Sequence, residues 1–369
     1  MTRYIIRRLL FIIPTLIVIM AINFVIVQAT PGGPIEQMIA QMQHMGGGTL
    51  GRVTGGTGSD IESAPSGNAA NSTTNSSSRA ASGLDPDYIA QLERQYGFDK
   101  PLHTRFFDLI ISYAKFDFGE SYYQDRSVLS IILDKMPVSI SLGLWSTLLI
   151  YLISIPLGIA KAVRMGTKFD LATSIIIITG YAIPNFLFAV LLIILFAGGE
   201  YFSWFPLRGL VSDNWHDLGW YERILDYLWH LTLPLISIII GGFATLTMLT
   251  RNSFLEEISK HYVQTARAKG LDQKAVLYRH VFRNAMLIVI AGFPAVFIGM
   301  FFTSTLLTEI IFSLDGLGLL GFEAAIGRDY PIMFATLYIF SLMGLVLGLL
   351  TDLTYVWVDP RIDFERKLQ

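Results

Sequence analysis

Residues Ser253 to Asn284 read SFLEEISKHYVQTARAKGLDQKAVLYRHVFRN, a polar and basic segment wedged between two long apolar runs. Arg267 and Lys269 are cations suited to acidic or phosphate-bearing surfaces. Ala266 and Ala268 beside them are small enough for close approach. Leu255, Ile258, Tyr262 and Ala266 recur at helical spacing and form one apolar stripe. Gly270 stands where a helix stops, and Asp272 where a second one is capped. The segment is too long for a membrane turn and too short for a domain. Its pattern predicts a helical hairpin, either lying on a lipid surface or docking as a knob into a soluble partner.

Other chemistry is missing. Gly166-Thr167-Lys168 lacks the glycine spacing and helix context of a phosphate-binding loop. No metalloprotease or serine-hydrolase motif occurs. The six histidines are scattered, and with no cysteine there is neither a disulfide nor a thiolate metal site. Polar uncharged residues do occur inside the apolar runs, among them Asn185, Thr245, Thr303 and Ser304. They either bond neighbouring helices or line a solute pathway.

The elements that hold these residues are set by the bilayer. Hydrophobic residues make up 53% of the chain and charged residues 15%, well under the roughly 25% charged usage of soluble domains. Six runs are long enough to cross as helices: residues 9–29, 138–160, 171–197, 231–250, 285–308 and 331–351. None contains Asp, Glu, Lys or Arg; Asp170 and Asp352 sit at run ends and Glu309 just beyond one. Ion-driven transporters place ionisable groups at membrane depth, so a chain of this kind that moves solute takes its energy from elsewhere, and the hairpin is a place where energy can enter. Pro156, Pro184, Pro234 and Pro294 are expected to kink or weaken their spans.

Orientation follows the basic residues. Arg3, Arg7, Arg8, Lys161, Arg164, Lys168, Arg251, the hairpin and the C-terminal tail hold 16 of the 27 Lys and Arg on one side. That side is predicted to be cytoplasmic, with both termini inside. Topology accounts for this basic face, so no nucleic-acid binding is inferred from it. The expected organisation is an uncleaved N-terminal anchor, 1–30; a periplasmic segment, 31–137; and a five-span core, 138–369, carrying the hairpin 253–284. Within the periplasmic segment, the Gly/Ser/Asn-rich tract 46–83 is too poor in core-forming residues to fold. Residues 84–137 are expected to form a small helical cap, with Phe106, Leu109, Ile110 and Tyr113 as one stripe.

The run Tyr262-Val263-Gln264-Thr265-Ala266-Arg267-Ala268-Lys269-Gly270-Leu271, followed by His280, Arg283, Asn284 and Ala285, resembles the cytoplasmic coupling loop of binding-protein-dependent ABC importer permeases. It is most similar to the dipeptide and oligopeptide branch. Tyr4-Ile5-Ile6-Arg7-Arg8, Asp117-Phe118-Gly119-Glu120-Ser121, Tyr181-Ala182-Ile183-Pro184, Glu309-Ile310-Ile311-Phe312 with Gly316-Leu317-Gly318, and Asp359-Pro360-Arg361 agree. The 46–83 insertion and the 358–364 ending look most like the YejB-type subgroup, associated with peptide and microcin C uptake.

The resemblance implies an all-α polytopic protein of type I importer architecture in a bacterial inner membrane. It implies that this subunit forms half of a translocation pathway, with a second homologous permease, two cytosolic ATPase domains and a periplasmic peptide-binding protein as partners. It further implies that ATP and Mg are bound by the ATPases and that this chain holds no cofactor. Tyr262, Thr265, Ala266, Arg267, Ala268, Lys269 and Gly270 would make the ATPase contact, with Ala266 on the face entering the partner's groove. An ion-coupled secondary transporter and a non-transporting scaffold or sensor subunit are the alternatives.

Overall fold

The computed structural model describes residues 2–29, 100–199, 201–303 and 305–358. The tract 46–83, residues 84–99 of the expected cap, Ser304 and the tail from 359 on lie outside the described residues. The described chain is helical: α1 (Thr2–Ala29), α2 (Leu102–Ala114), α3 (Val128–Val163), α4 (Lys168–Ala182), α5 (Asn185–Phe196), α6 (Trp220–Ile258), α7 (His261–Ala268), α8 (Phe282–Thr303), α9 (Thr305–Ile311), α10 (Leu317–Gly327) and α11 (Tyr330–Val358). α3 runs without a break through the 137/138 boundary drawn from composition.

Among the described residues, five stretches are helical, long and apolar enough to cross a membrane. The run 171–197 is not the single helix its hydropathy suggests. It is two helices, α4 and α5, bent by 94°. The cause is local. Proline disfavours the helical conformation in the residue before it, and Ile183 is extended at φ −85°, ψ 122° with Pro184 at ψ 132°. Counted as one broken crossing, the pair brings the total to six. Pro156 and Pro234, by contrast, lie inside the continuous helices α3 and α6.

Two compact units make up the chain. The first holds Met1–Leu16, Val128–Glu323 and Thr336–Gln369. Its spine is the α3–α6 pair. Lipid tails are as apolar as leucine, so such pairs associate through close packing and hydroxyl contacts. Gly158 on α3 faces Thr247 and Thr250 on α6, and Ser154 Oγ donates to the Phe243 carbonyl at 3.0 Å. A Cβ at position 158 would stand 2.6 Å from Thr250 Cβ and 2.8 Å from the Thr247 carbonyl oxygen. Gly158→Ala is therefore expected to destabilise the pair by about 1–3 kcal/mol, read as a lower melting temperature of the detergent-purified protein. Val138, Leu142, Leu192, Leu231 and Ile238 belong to one apolar cluster, in which α5 packs against α6. At the ends of α1 and α11, Arg8 pairs with Asp352 at 2.8 Å and Tyr4 donates to the same carboxylate at 2.9 Å.

The second unit holds Ile17–Ser127 and Ala324–Ala335. Here the stripe Phe106, Leu109, Ile110 and Tyr113 lies on the inner side of α2. Phe24 meets Phe106 at 5.4 Å and Phe334 at 6.3 Å between ring centroids. Asp329 is buried and accepts from Ser121 Oγ at 2.5 Å, which ties the 121–122 turn to the start of α11. Burial raises its carboxyl above the ordinary range, against the bonds from Ser121 and Tyr122.

Candidate functional site

The hairpin is built on the end of α6, which extends past the apolar run to Ile258. Helix breaks at Ser259 and Lys260, so Leu255 and Ile258 belong to α6, while Tyr262 and Ala266 belong to the short α7. The break is held by side chains. Glu257 pairs with Lys260, and Tyr262 donates to Glu257 Oε2 at 2.6 Å. Glu257 holds the Lys260 ammonium above its ordinary range. Burial, with the same carboxylate, does so for the Tyr262 phenol.

α7 ends as the glycine predicts. Gly270 has φ +80°, and the amide of Leu271 reaches back to the Ala266 carbonyl at 3.4 Å. Asp272 then caps the returning arm, accepting from the Lys274 amide at 3.3 Å. That arm is a helical turn, Gln273–Ala275, and a π-helical segment, Val276–Val281, which leads into α8. The wider π-turn adds a residue per turn.

One expectation about this face is corrected. The apolar stripe exists, but it turns inward. Ala266 is 6% exposed and packs in a cluster with Val263, Phe254, Val276, Val281 and Ala285, flanked by Leu255, Ile258 and Tyr262. Ala266 therefore does not lie on an outward docking face. A stripe on a hairpin buries itself first against the returning arm, because that arm is tethered and always present. The outward face carries Gln264, Thr265, Arg267, Ala268, Lys269, Gly270 and Leu271, all exposed. Beneath it is a cavity of about 270 Å³ with Val163, Ile258 and Leu277 on its wall and Arg267 and Lys274 among its lining residues.

Ala266→Asp and Ala268→Asp separate these two faces. The first buries a carboxylate without a partner, which costs several kcal/mol. It is expected to open the hairpin to proteolysis near 259–272 even in the absence of any partner. Ala268→Asp is expected to keep wild-type protease resistance.

Among the described residues, no hydrogen bond joins the pathway candidates Asn185 and Thr245. Asn185 is half-buried at the first turn of α5 and faces Gly241 on α6 so closely that a Cβ there would overlap its amide. It borders a cavity of about 400 Å³ with Tyr181, Ile183, Pro184 and Gly242 at the α4–α5 break. Thr245 is exposed on α6. Thr303 ends α8, with its side chain outside the description, and Ser304 lies outside the described residues.

Two charged clusters were not legible as sites in the sequence. Lys161, counted there only toward topology, is fully buried and pairs with Asp170, which Arg251 also binds. Glu309 is also fully buried. Its carboxylate accepts from Ser139 Oγ at 3.1 Å and from the Leu319 amide at 2.7 Å, and Ser139 Oγ accepts from the Leu317 amide at 2.8 Å. The first turn of α10 is thus capped from other helices. Gly316 leaves room for that carboxylate, which a Cβ would overlap. The available signal was Glu309 seven residues before a Gly-Leu-Gly.

Comparison with known proteins decides the family. Residues 154–364 match the family described as binding-protein-dependent transport system inner membrane component. The chain belongs to this family. It is a multi-pass inner-membrane permease of the type I ABC importer fold, a non-catalytic component of such transporters. Similar proteins include the inner membrane ABC transporter permease protein YejB of Escherichia coli O157:H7, 58% identical over 99% of this chain and 100% of that one. The peptidoglycan transport system permease protein YejB of Agrobacterium fabrum is 58% identical over the full length of both. The oligopeptide transport system permease protein AppB of Bacillus subtilis is 31% identical over 99% of this permease and 100% of its own length.

Proposed function

We propose that this permease forms half of the translocation pathway of an ATP-driven importer of peptides or peptide-bearing compounds, and that the α7 hairpin couples it to cytosolic ATPases. The observation that supports this reading most is the two-sidedness of α7. Its apolar side is locked into the permease, and its polar, cationic side is exposed among the described residues. A lever needs both a rigid root and a free contact surface. Thr265, Arg267, Ala268, Lys269 and Gly270 make the contact, and Tyr262 and Ala266 hold it in place. The remaining parts are a homologous permease, two ATPase domains that bind ATP and Mg, and a periplasmic peptide-binding protein.

Peptide cargo is supported by relatives named for oligopeptide and peptidoglycan transport. Both contain peptide amides, which polar uncharged groups such as Asn185 and Thr245 can hydrogen-bond. Microcin C, itself peptide-like, falls in the same class. The ion-coupled alternative needs a carboxylate open to a pathway. Glu309 does not meet that need, because both of its oxygens are engaged in capping.

The test is reconstitution. Liposomes holding the complete complex should take up labelled peptide only with ATP enclosed on the ATPase face and binding protein outside with the peptide. The purified permease alone should hydrolyse ATP no faster than background, since no residue run cradles a phosphate. Peptide uptake driven by a proton or sodium gradient without ATP would overturn this reading.

A further inference from the structure

The Asp170 carboxylate joins three elements at one point. It accepts from Arg251 Nε at 3.1 Å and from a terminal guanidinium nitrogen at 2.9 Å, a two-pronged bond. It pairs with Lys161 Nζ at 3.0 Å. Lys161, on the last turn of α3, is 0% exposed and also donates to the Asp170 carbonyl, Thr173 Oγ1 and Ser174 Oγ at 2.9, 2.9 and 2.7 Å. Asp170 itself also accepts from the Gly166 amide at 3.3 Å. Arg251 lies on α6, two residues before the hairpin segment begins.

The cluster does more than fix a turn. Lys161 alone already ties the end of α3 to the start of α4 through four acceptors. Arg251 adds a bond to a different helix, and it does so by placing a second, partly exposed cation against a single carboxylate. A fork bound at two nitrogens resists both sliding and rotation, unlike a single ammonium contact. α6 is one unbroken helix from Trp220 to Ile258, so its lower end moves with the root of α7. α4 is a 15-residue helix whose first turn holds Asp170 and whose far end is the extended Ile183–Pro184 break. A displacement at Asp170 therefore tilts α4 about that break.

We propose that Arg251 and Asp170 are positioning residues that carry movement of the hairpin into α4 and thus to the Ile183–Pro184 hinge beside Asn185. The proposal rests on the reading that α7 docks ATPases. Coupling here is carried by a specific contact between rigid elements, which is the physical form such transmission requires.

The test uses Arg251→Gln in the complete reconstituted complex. This variant leaves the Lys161–Asp170 pair in place, so it cuts the link between helices without stranding the buried lysine. Peptide transported per ATP hydrolysed is expected to fall about tenfold, with ATPase subunits still co-purifying. Arg251→Lys, which keeps the charge and loses the fork, should recover part of the ratio. The chain has no cysteine, so spin labels on Thr265→Cys and Ile176→Cys report directly on α7 and α4. Nucleotide trapping should change the distance between them in the wild type, and Arg251→Gln should abolish that change. A ratio within about twofold of wild type, or an unaltered distance change, would overturn the proposal. Equal loss of assembled complex in both Arg251 variants would also overturn it, showing a purely structural role. Cross-linking from Ala268→Cys to the ATPase reports separately on docking, so failure of the docking reading is distinguishable from failure of the link.

Discussion

Gly270→Val is expected to abolish peptide uptake while leaving the permease in the membrane at its normal level. The φ of +80° lies in the left-handed region, where an L-residue pays about 1–2 kcal/mol and a β-branched one more. No atom lies within 4 Å of where a Cβ would stand, so the effect expected of the added Cβ comes from the backbone conformation. Relief requires the α7 end to unwind, which moves Thr265, Arg267 and Ala268 off their seat. Gly270→Asn provides the control, since asparagine tolerates the left-handed region far better. Uptake and co-purified ATPase, measured at matched membrane levels, should fall at least tenfold for valine, roughly the factor for 1.4 kcal/mol, and much less for asparagine. Equal losses in the two variants would mean that space or side-chain identity at 270 matters, rather than its turn.

A second large effect is expected at Glu309. Glu309→Ala removes both acceptors that the Ser139 hydroxyl and the Leu319 amide use, at a fully buried position. Each buried group left unpaired costs about 1–3 kcal/mol, so the loss approaches the stability of a typical domain. Folded permease recovered from membranes should fall sharply. Glu309→Gln keeps the shape but turns one acceptor into an NH₂ group, so it should fall between the two. Gly316→Ala should reproduce the defect from the other side, because its Cβ enters the space of the same carboxylate. Wild-type yield for both Glu309→Ala and Gly316→Ala would refute the capping role.

The membrane spans were legible because each apolar run must satisfy its own backbone as helix, whatever its neighbours do. Gly270 and Asp272 were legible because helix ends need particular residues regardless of tertiary context. The α4–α5 break was visible only as a proline. Pro156 and Pro234 carry the same local signal and lie inside continuous helices, so the decision belongs to the packing of α5 against α6. Ala266 shows a different limit. Spacing finds an apolar stripe but not what covers it, and here the returning arm of the hairpin does. Lys161 and Glu309 were hidden for a third reason. A charge near a span end reads as a topological signal, and burial becomes apparent only when Asp170, Arg251, Ser139 and the α10 amides converge from distant positions in the chain.

The contact between the hairpin and an ATPase is the claim on which the coupling account turns, and site-directed photo-cross-linking tests it most directly. With no native cysteine to remove, a benzophenone reagent can be placed on Thr265→Cys or Ala268→Cys in membranes holding the full complex. Tyr201→Cys, exposed in the α5–α6 connection, serves as the reference position. The account predicts an adduct of permease and ATPase from both hairpin positions and none from the reference. Adducts with lipid alone from Thr265→Cys and Ala268→Cys, in a complex shown to contain ATPase, would contradict it.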